Sequence, residues 1–214
     1  MDGVLVNNMK VHFMAFAEMA ARYNLTAAPG QDFSHLNGRG NEDIITALFP
    51  EWLVKEKGVE ALAREKEAVY REIYAPTIVP TAGLVEFLHR LREKGVVCAV
   101  GSSGPSENVA FVLDKCGIED CFDVCISGDM VTRCKPDPEI FLTAASRLGV
   151  APEECVVFED AVAGVMAARA ADMRVVAIAS THTADELADK VSPDLIVDDF
   201  VSLCNHPDWW PDNT

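Results

Sequence analysis

The sequence predicts an α/β fold: a doubly wound, parallel, Rossmann-like sheet interrupted near its start by an all-helical cap. Three observations carry this expectation. The first third of the chain reads as helix after helix, short apolar runs alternate with helical segments from Thr81 onward, and the polar residues suited to chemistry stand just after those runs. Strands that alternate with helices indicate a parallel sheet. In such sheets ligands bind beyond the strand C-termini, so the positions following each strand become the candidate site.

Taken in order, Phe13, Phe16, Ala17 and Ala20 fall at i, i+3, i+4 and i+7 and predict an amphipathic first helix. A second helix is expected over about residues 41–49, stopped by Pro50, and one or two more over about 51–74. Pro76 and Pro80 then mark a linker. The predicted division is a core of residues 1–8 plus 78–214 and a helical cap of residues 9–77. Beyond Thr81 a helix with Leu84, Leu88 and Leu91 on one face ends at Gly95. The run at 96–100 suits a strand buried on both faces. Further strands are expected at 123–127, 155–158, 174–178 and 194–197, with helices at about 106–115, 138–148, 161–171 and 184–190.

Composition narrows the function classes. The chain has 18 Lys and Arg against 34 Asp and Glu, a net charge of −16, which disfavours nucleic acid and anionic membranes as partners. A phosphorylated ligand would therefore need local cations. The 7 cysteines are odd in number and scattered through apolar stretches, as expected of reduced residues in a cytoplasmic protein. No apolar run approaches the roughly 20 residues of a membrane-spanning helix.

The residues after the strands form a coherent set. Gly101-Ser102-Ser103-Gly104 follows the first predicted core strand, Glu159-Asp160 follows the third, and Lys135 sits in Arg133-Cys134-Lys135-Pro136-Asp137-Pro138. A hydroxyl, a lysine and paired carboxylates are the parts needed to hold a phosphate and a magnesium ion together. Magnesium takes hard oxygen ligands, usually one or two carboxylates with waters and substrate phosphate. Ser102 and the neighbouring backbone amides could donate to phosphoryl oxygens, and Lys135 could offset the charge of phosphate and nucleophile. Each piece alone has a plainer reading: a lysine before proline is a common surface turn, and Asp160 before Ala161 could simply cap a helix.

With these motifs in this order, the sequence resembles the haloacid dehalogenase superfamily, in the helical-cap branch that includes β-phosphoglucomutase and sugar phosphatases. The resemblance rests on Asp2-Gly3-Val4, Ser102, Lys135 with Pro136 and Pro138, and Glu159-Asp160-Ala161-Val162-Ala163-Gly164. It implies that Asp2 is a general acid/base whose main-chain carbonyl joins Glu159 and Asp160 around Mg2+. It also implies that Ser102 and Lys135 are catalytic, with Gly3 and Ser103 lining the substrate. Arg39, in Asn37-Gly38-Arg39-Gly40, is a candidate to reach a substrate phosphate from the cap.

The family's first motif is Asp-x-Asp, and its first aspartate, the nucleophile that becomes an aspartyl-phosphate, would stand one residue before Met1. The strand leading to it, expected between the strands ending at Ser102 and Glu159, is likewise not among the 214 residues. A start codon assigned too far downstream and a genuine loss both account for this. The favoured function is Mg2+-dependent hydrolysis of a small phosphate monoester, such as a sugar phosphate, by a complete enzyme, with the chain as given severely impaired. The alternatives are a β-phosphoglucomutase-type phosphomutase and, from another class, an inactive binding protein. Against the mutase, Gly104-Pro105-Ser106 does not reproduce the Ser-Lys-Asn that follows the second motif in that enzyme.

Overall fold

A computed structural model describes residues 1–25 and 41–206. The helices are α1 (Met9–Arg22), α2 (Asn41–Leu48), α3 (Glu51–Lys57), α4 (Val59–Tyr74), α5 (Leu84–Glu93), α6 (Ser106–Cys116), α7 (Glu139–Leu148), α8 (Val162–Ala170), α9 (Ala184–Lys190) and α10 (Phe200–Cys204). The strands are β1 (Ala99–Gly101), β2 (Val124–Ile126), β3 (Val156–Glu159), β4 (Arg174–Ile178) and β5 (Leu195–Val197). Every pairing among the described residues is parallel, and the α/β alternation is the one the apolar runs predicted. Arg39, Trp209 and Trp210 lie outside the described residues.

The chain divides into two compact units, Met1–Asn7 with Ile78–Thr214 and Asn8–Thr77. In the helical unit the buried face of α1 is Ala15, Phe16 and Met19, while Ala17 is exposed. The stripe is therefore rotated from the predicted one, because α1 packs along α4 around a buried polar centre. Lys66 lies 4.8 Å from the Phe16 ring centroid and 2.9 Å from Glu67, and Tyr70 stacks on His12 at 4.1 Å. Such a centre pulls in the face that can stack and donate, whatever the bulk of Phe13.

In the other unit β1 pairs with β2, and β3, β4 and β5 form a separate three-stranded sheet. Among the described residues no strand joins the two sheets. Residues 96–98 correct the sequence reading: the strand begins at Ala99, and Val96 and Val97 are 43% and 46% exposed. Among the described residues only Ala99–Gly101 enters the ladder with β2, so the residues before it are not held in a sheet covered on both faces. The core is richest around β3 and β4, where Val157, Val175 and Ala177 pack with Val165 and Ala168 of α8 and Ile140 and Phe141 of α7. Asp199 caps α10, accepting from Ser202 N at 2.8 Å. Among the described residues no helix is long and apolar enough to cross a membrane.

Candidate active site

Residues 1–6 form a tight turn in which the Met1 carbonyl accepts from Leu5 N at 2.7 Å and an isolated bridge links Asp2 to Val6. Thr81 braces it, donating from its main chain to Leu5 O at 2.8 Å and from its hydroxyl to Val4 O at 2.7 Å. Gly3 sits at φ +68, and a Cβ there would fall 1.9 Å from Asp160 Oδ2. Both the left-handed backbone and the close approach exclude a larger residue. The first motif is thereby pressed directly against the fourth.

Ser102 follows β1 and is 2% exposed. Its main-chain N–H donates to Ile126 O at 2.9 Å, and its hydroxyl oxygen accepts from Gly104 N at 3.1 Å. A Cβ at Gly104 would lie 3.4 Å from Ser102 Oγ and 3.8 Å from Asp2 Oδ2, so those two groups are neighbours across a glycine. Ser103 is exposed beside them. Lys135 donates to Glu159 Oε1 and to Gly101 O at 3.3 Å, with Nζ 4.6 Å from the Phe141 ring centroid. Both members of this ion pair are nearly buried.

The two carboxylates of the acidic pair differ in what they do. Glu159 Oε2 accepts from the main-chain N–H of Asp160 at 3.0 Å and of Ala161 at 3.3 Å. Glu159 therefore performs the amide-satisfying role that sequence alone offered to Asp160; Ala161 holds the N-cap position and supplies no side-chain bond. Burial alone would push the Glu159 carboxyl up, but the charge of Lys135 and the hydrogen bonds it accepts hold it below the ordinary carboxylate value. A Cβ at Gly164 would lie 2.1 Å from the Glu159 carboxyl carbon. We expect Gly164→Ala to lower stability by about 1–3 kcal/mol in a urea melt, since the buried ion pair has no room to retreat; an unchanged midpoint would contradict this packing.

Asp160 caps nothing. It is 7% exposed, its Oδ2 accepts from the Thr181 hydroxyl, and its main-chain oxygen lies 3.1 Å from His182 Nδ1. Burial first, and the charge of Glu159 second, push its carboxyl up to about 7. Sequence reasoning missed the segment that contacts Asp160 and Gly3. Ser180, Thr181 and His182 follow β4, and Ser180 donates to the Gly3 carbonyl. The signal was present, because a polar run after a core strand obeys the same positional rule that selected Ser102 and Glu159.

Among the described residues no three His, Cys, Asp or Glu side chains gather in metal-ligating geometry. What the site offers is hard oxygen: two adjoining carboxylates next to the Asp2-Gly3 main chain. Such a set fits Mg2+, which keeps several waters, and is unsuited to a metal wanting thiolate or imidazole. Both Glu159 oxygens already have partners, so Asp160 is the better placed ligand.

The profile of the haloacid dehalogenase-like hydrolases matches residues 1–172, four-fifths of the chain. The chain belongs to this family. The matched span contains Asp2, Ser102, Lys135, Glu159 and Asp160. Among curated relatives of this hydrolase, the validoxylamine A 7'-phosphate phosphatase of Streptomyces hygroscopicus subsp. limoneus is 32% identical over 88% of this chain and 87% of its own length. The fructose-1-phosphate phosphatase YqaB of Escherichia coli K12 is 34% identical over 81% of this chain and 90% of its own. The crystal structure of β-phosphoglucomutase from Clostridium difficile superposes with a TM-score of 0.74 at 26% identity, covering 93% of this chain and 88% of that one. The chain is thus a haloacid dehalogenase-like enzyme with an α/β fold shared by sugar-phosphate enzymes.

Proposed function

We propose that this hydrolase is a Mg2+-dependent phosphatase acting on small phosphate monoesters of the sugar-phosphate class in the cytoplasm. The observation that carries the reading is the position of Asp160: a buried carboxylate that caps no helix, pressed against Gly3 beside the Lys135–Glu159 pair. A carboxylate kept out of water without a structural task is what a cation site requires. The substrates named for the two phosphatase relatives, validoxylamine A 7'-phosphate and fructose 1-phosphate, support the substrate class.

In this reading Ser102 and neighbouring main-chain amides receive the phosphoryl oxygens, Ser103 lies at the open side, and Lys135 offsets developing charge while keeping Glu159 ionised. Glu159, Asp160 and the Asp2 carbonyl would hold Mg2+, which when bound neutralises phosphate charge and orients the phosphoryl group for in-line attack. Asp2 moves the proton to and from the ester oxygen. The nucleophile would be a carboxylate in the position before Met1, attacking phosphorus as the ester P–O bond breaks and Asp2 protonates the departing alcohol oxygen; water then cleaves the aspartyl-phosphate and releases phosphate. Residues 9–77 serve as the cap, with Arg39 as its candidate phosphate contact. The test is a panel of sugar phosphates, inorganic phosphate release being followed with and without Mg2+ in a version bearing that aspartate. Release from hexose or pentose phosphates that stops with EDTA is expected; activity indifferent to EDTA would overturn the metal assignment.

A further inference from the structure

Three consecutive side chains after β4 grip the first and fourth motifs. Ser180 Oγ donates to the carbonyl of Gly3, Thr181 Oγ1 donates to Oδ2 of Asp160, and His182 Nδ1 lies 3.1 Å from the Asp160 main-chain oxygen. The contacts are geometrically interlocked. A Cβ at Gly3 would meet Asp160 Oδ2 at 1.9 Å and Thr181 Oγ1 at 2.9 Å, so glycine, carboxylate and hydroxyl occupy one small space. A threonine hydroxyl has a single proton to give. Spent on Oδ2, it fixes the carboxylate plane and leaves Oδ1 outside that bond.

From this geometry we infer that Thr181 is a positioning residue for the cation site: its hydroxyl selects which oxygen of Asp160 faces the ion, while Ser180 and His182 hold the two main chains in register. The inference rests on the proposed Mg2+ site and goes beyond it, because it assigns the affinity of that site to a segment outside the motif residues. Groups that orient metal ligands without touching the metal typically contribute about 10–100-fold in affinity.

The experiment counts free Mn2+ by its solution EPR signal, with displacement by Mg2+, in the unaltered chain and in Thr181→Val, Thr181→Ser and Asp160→Asn. Thr181→Val, which keeps the shape and removes the hydroxyl, is expected to weaken Mn2+ binding at least about tenfold, whereas Thr181→Ser, which keeps the hydroxyl, stays within about threefold of the unaltered chain. Circular dichroism and metal-free melting separate this from misfolding. Thr181→Val binding like the unaltered chain would overturn the inference, and so would Thr181→Ser falling as far as Thr181→Val, since packing rather than the hydroxyl would then be responsible. Should Asp160→Asn bind as tightly as the unaltered chain, or the unaltered chain bind nothing, the cation site itself fails, a result distinct from failure of the Thr181 role.

Discussion

A version of the chain extended by four or five apolar residues followed by aspartate immediately before Met1 is expected to hydrolyse phosphate monoesters at least about 10³-fold faster than residues 1–214 alone. Covalent catalysis is lost as a unit when its nucleophile is absent, and the remaining charge-stabilising groups retain only a small residue of the rate. β1 and β3 end beside the site but belong to separate sheets, and Val96 and Val97 are exposed where the sequence pattern calls for burial. Steady-state release of phosphate from a simple aryl phosphate measures the difference, and equal rates for the two versions would remove the aspartyl-phosphate from the mechanism. In the extended version Asp160→Asn should also lose most activity; full retention would count against Asp160 as a ligand.

Asp160 provides the second large effect, in stability. Its carboxyl titrates at about 7 in the fold against an ordinary value of 3.8, raised by burial and then by Glu159. A raised carboxyl means the folded state holds its proton more tightly than the unfolded state does. The associated stability is therefore complete below about pH 4 and is lost as the pH climbs through 7. Between pH 5 and pH 8 the metal-free chain should lose about 2 kcal/mol from this group. Glu159, shifted downward, is ionised across that window and contributes almost no slope. Urea midpoints at the two pH values, compared with those of Asp160→Asn, isolate the effect of this carboxyl. An identical pH slope in the two proteins would show that Asp160 is not the titrating group.

Local patterns made most of the elements legible. α9 was bounded correctly by its polar and apolar spacing, and its capping box at Thr183 and Glu186 explains why. α2 stops before Pro50, as a proline demands. The α1 stripe was misread because Phe13 and Phe16 look equivalent by hydropathy, and only the Lys66–Tyr70 centre on α4 chooses between them. Type and spacing select the five residues of the motif set, and the structure gathers them after the strands. Their division of labour was not legible, since Glu159 and Asp160 are adjacent in sequence and chemically alike.

The amino-acid order by itself determined the alternation of parallel strands and helices, the glycines at 3 and 164, and the place of each chemical group after a strand, because these depend on short-range periodicity and backbone sterics. Tertiary structure alone decided that Glu159 satisfies the amides before α8 while Asp160 stays buried against Gly3, and that Ser180, Thr181 and His182 hold the two motifs together. Those outcomes turn on which atoms, 21 or 177 residues apart, come within hydrogen-bond reach. No local signal encodes such a distance; the packing of β4 beside β3 sets it.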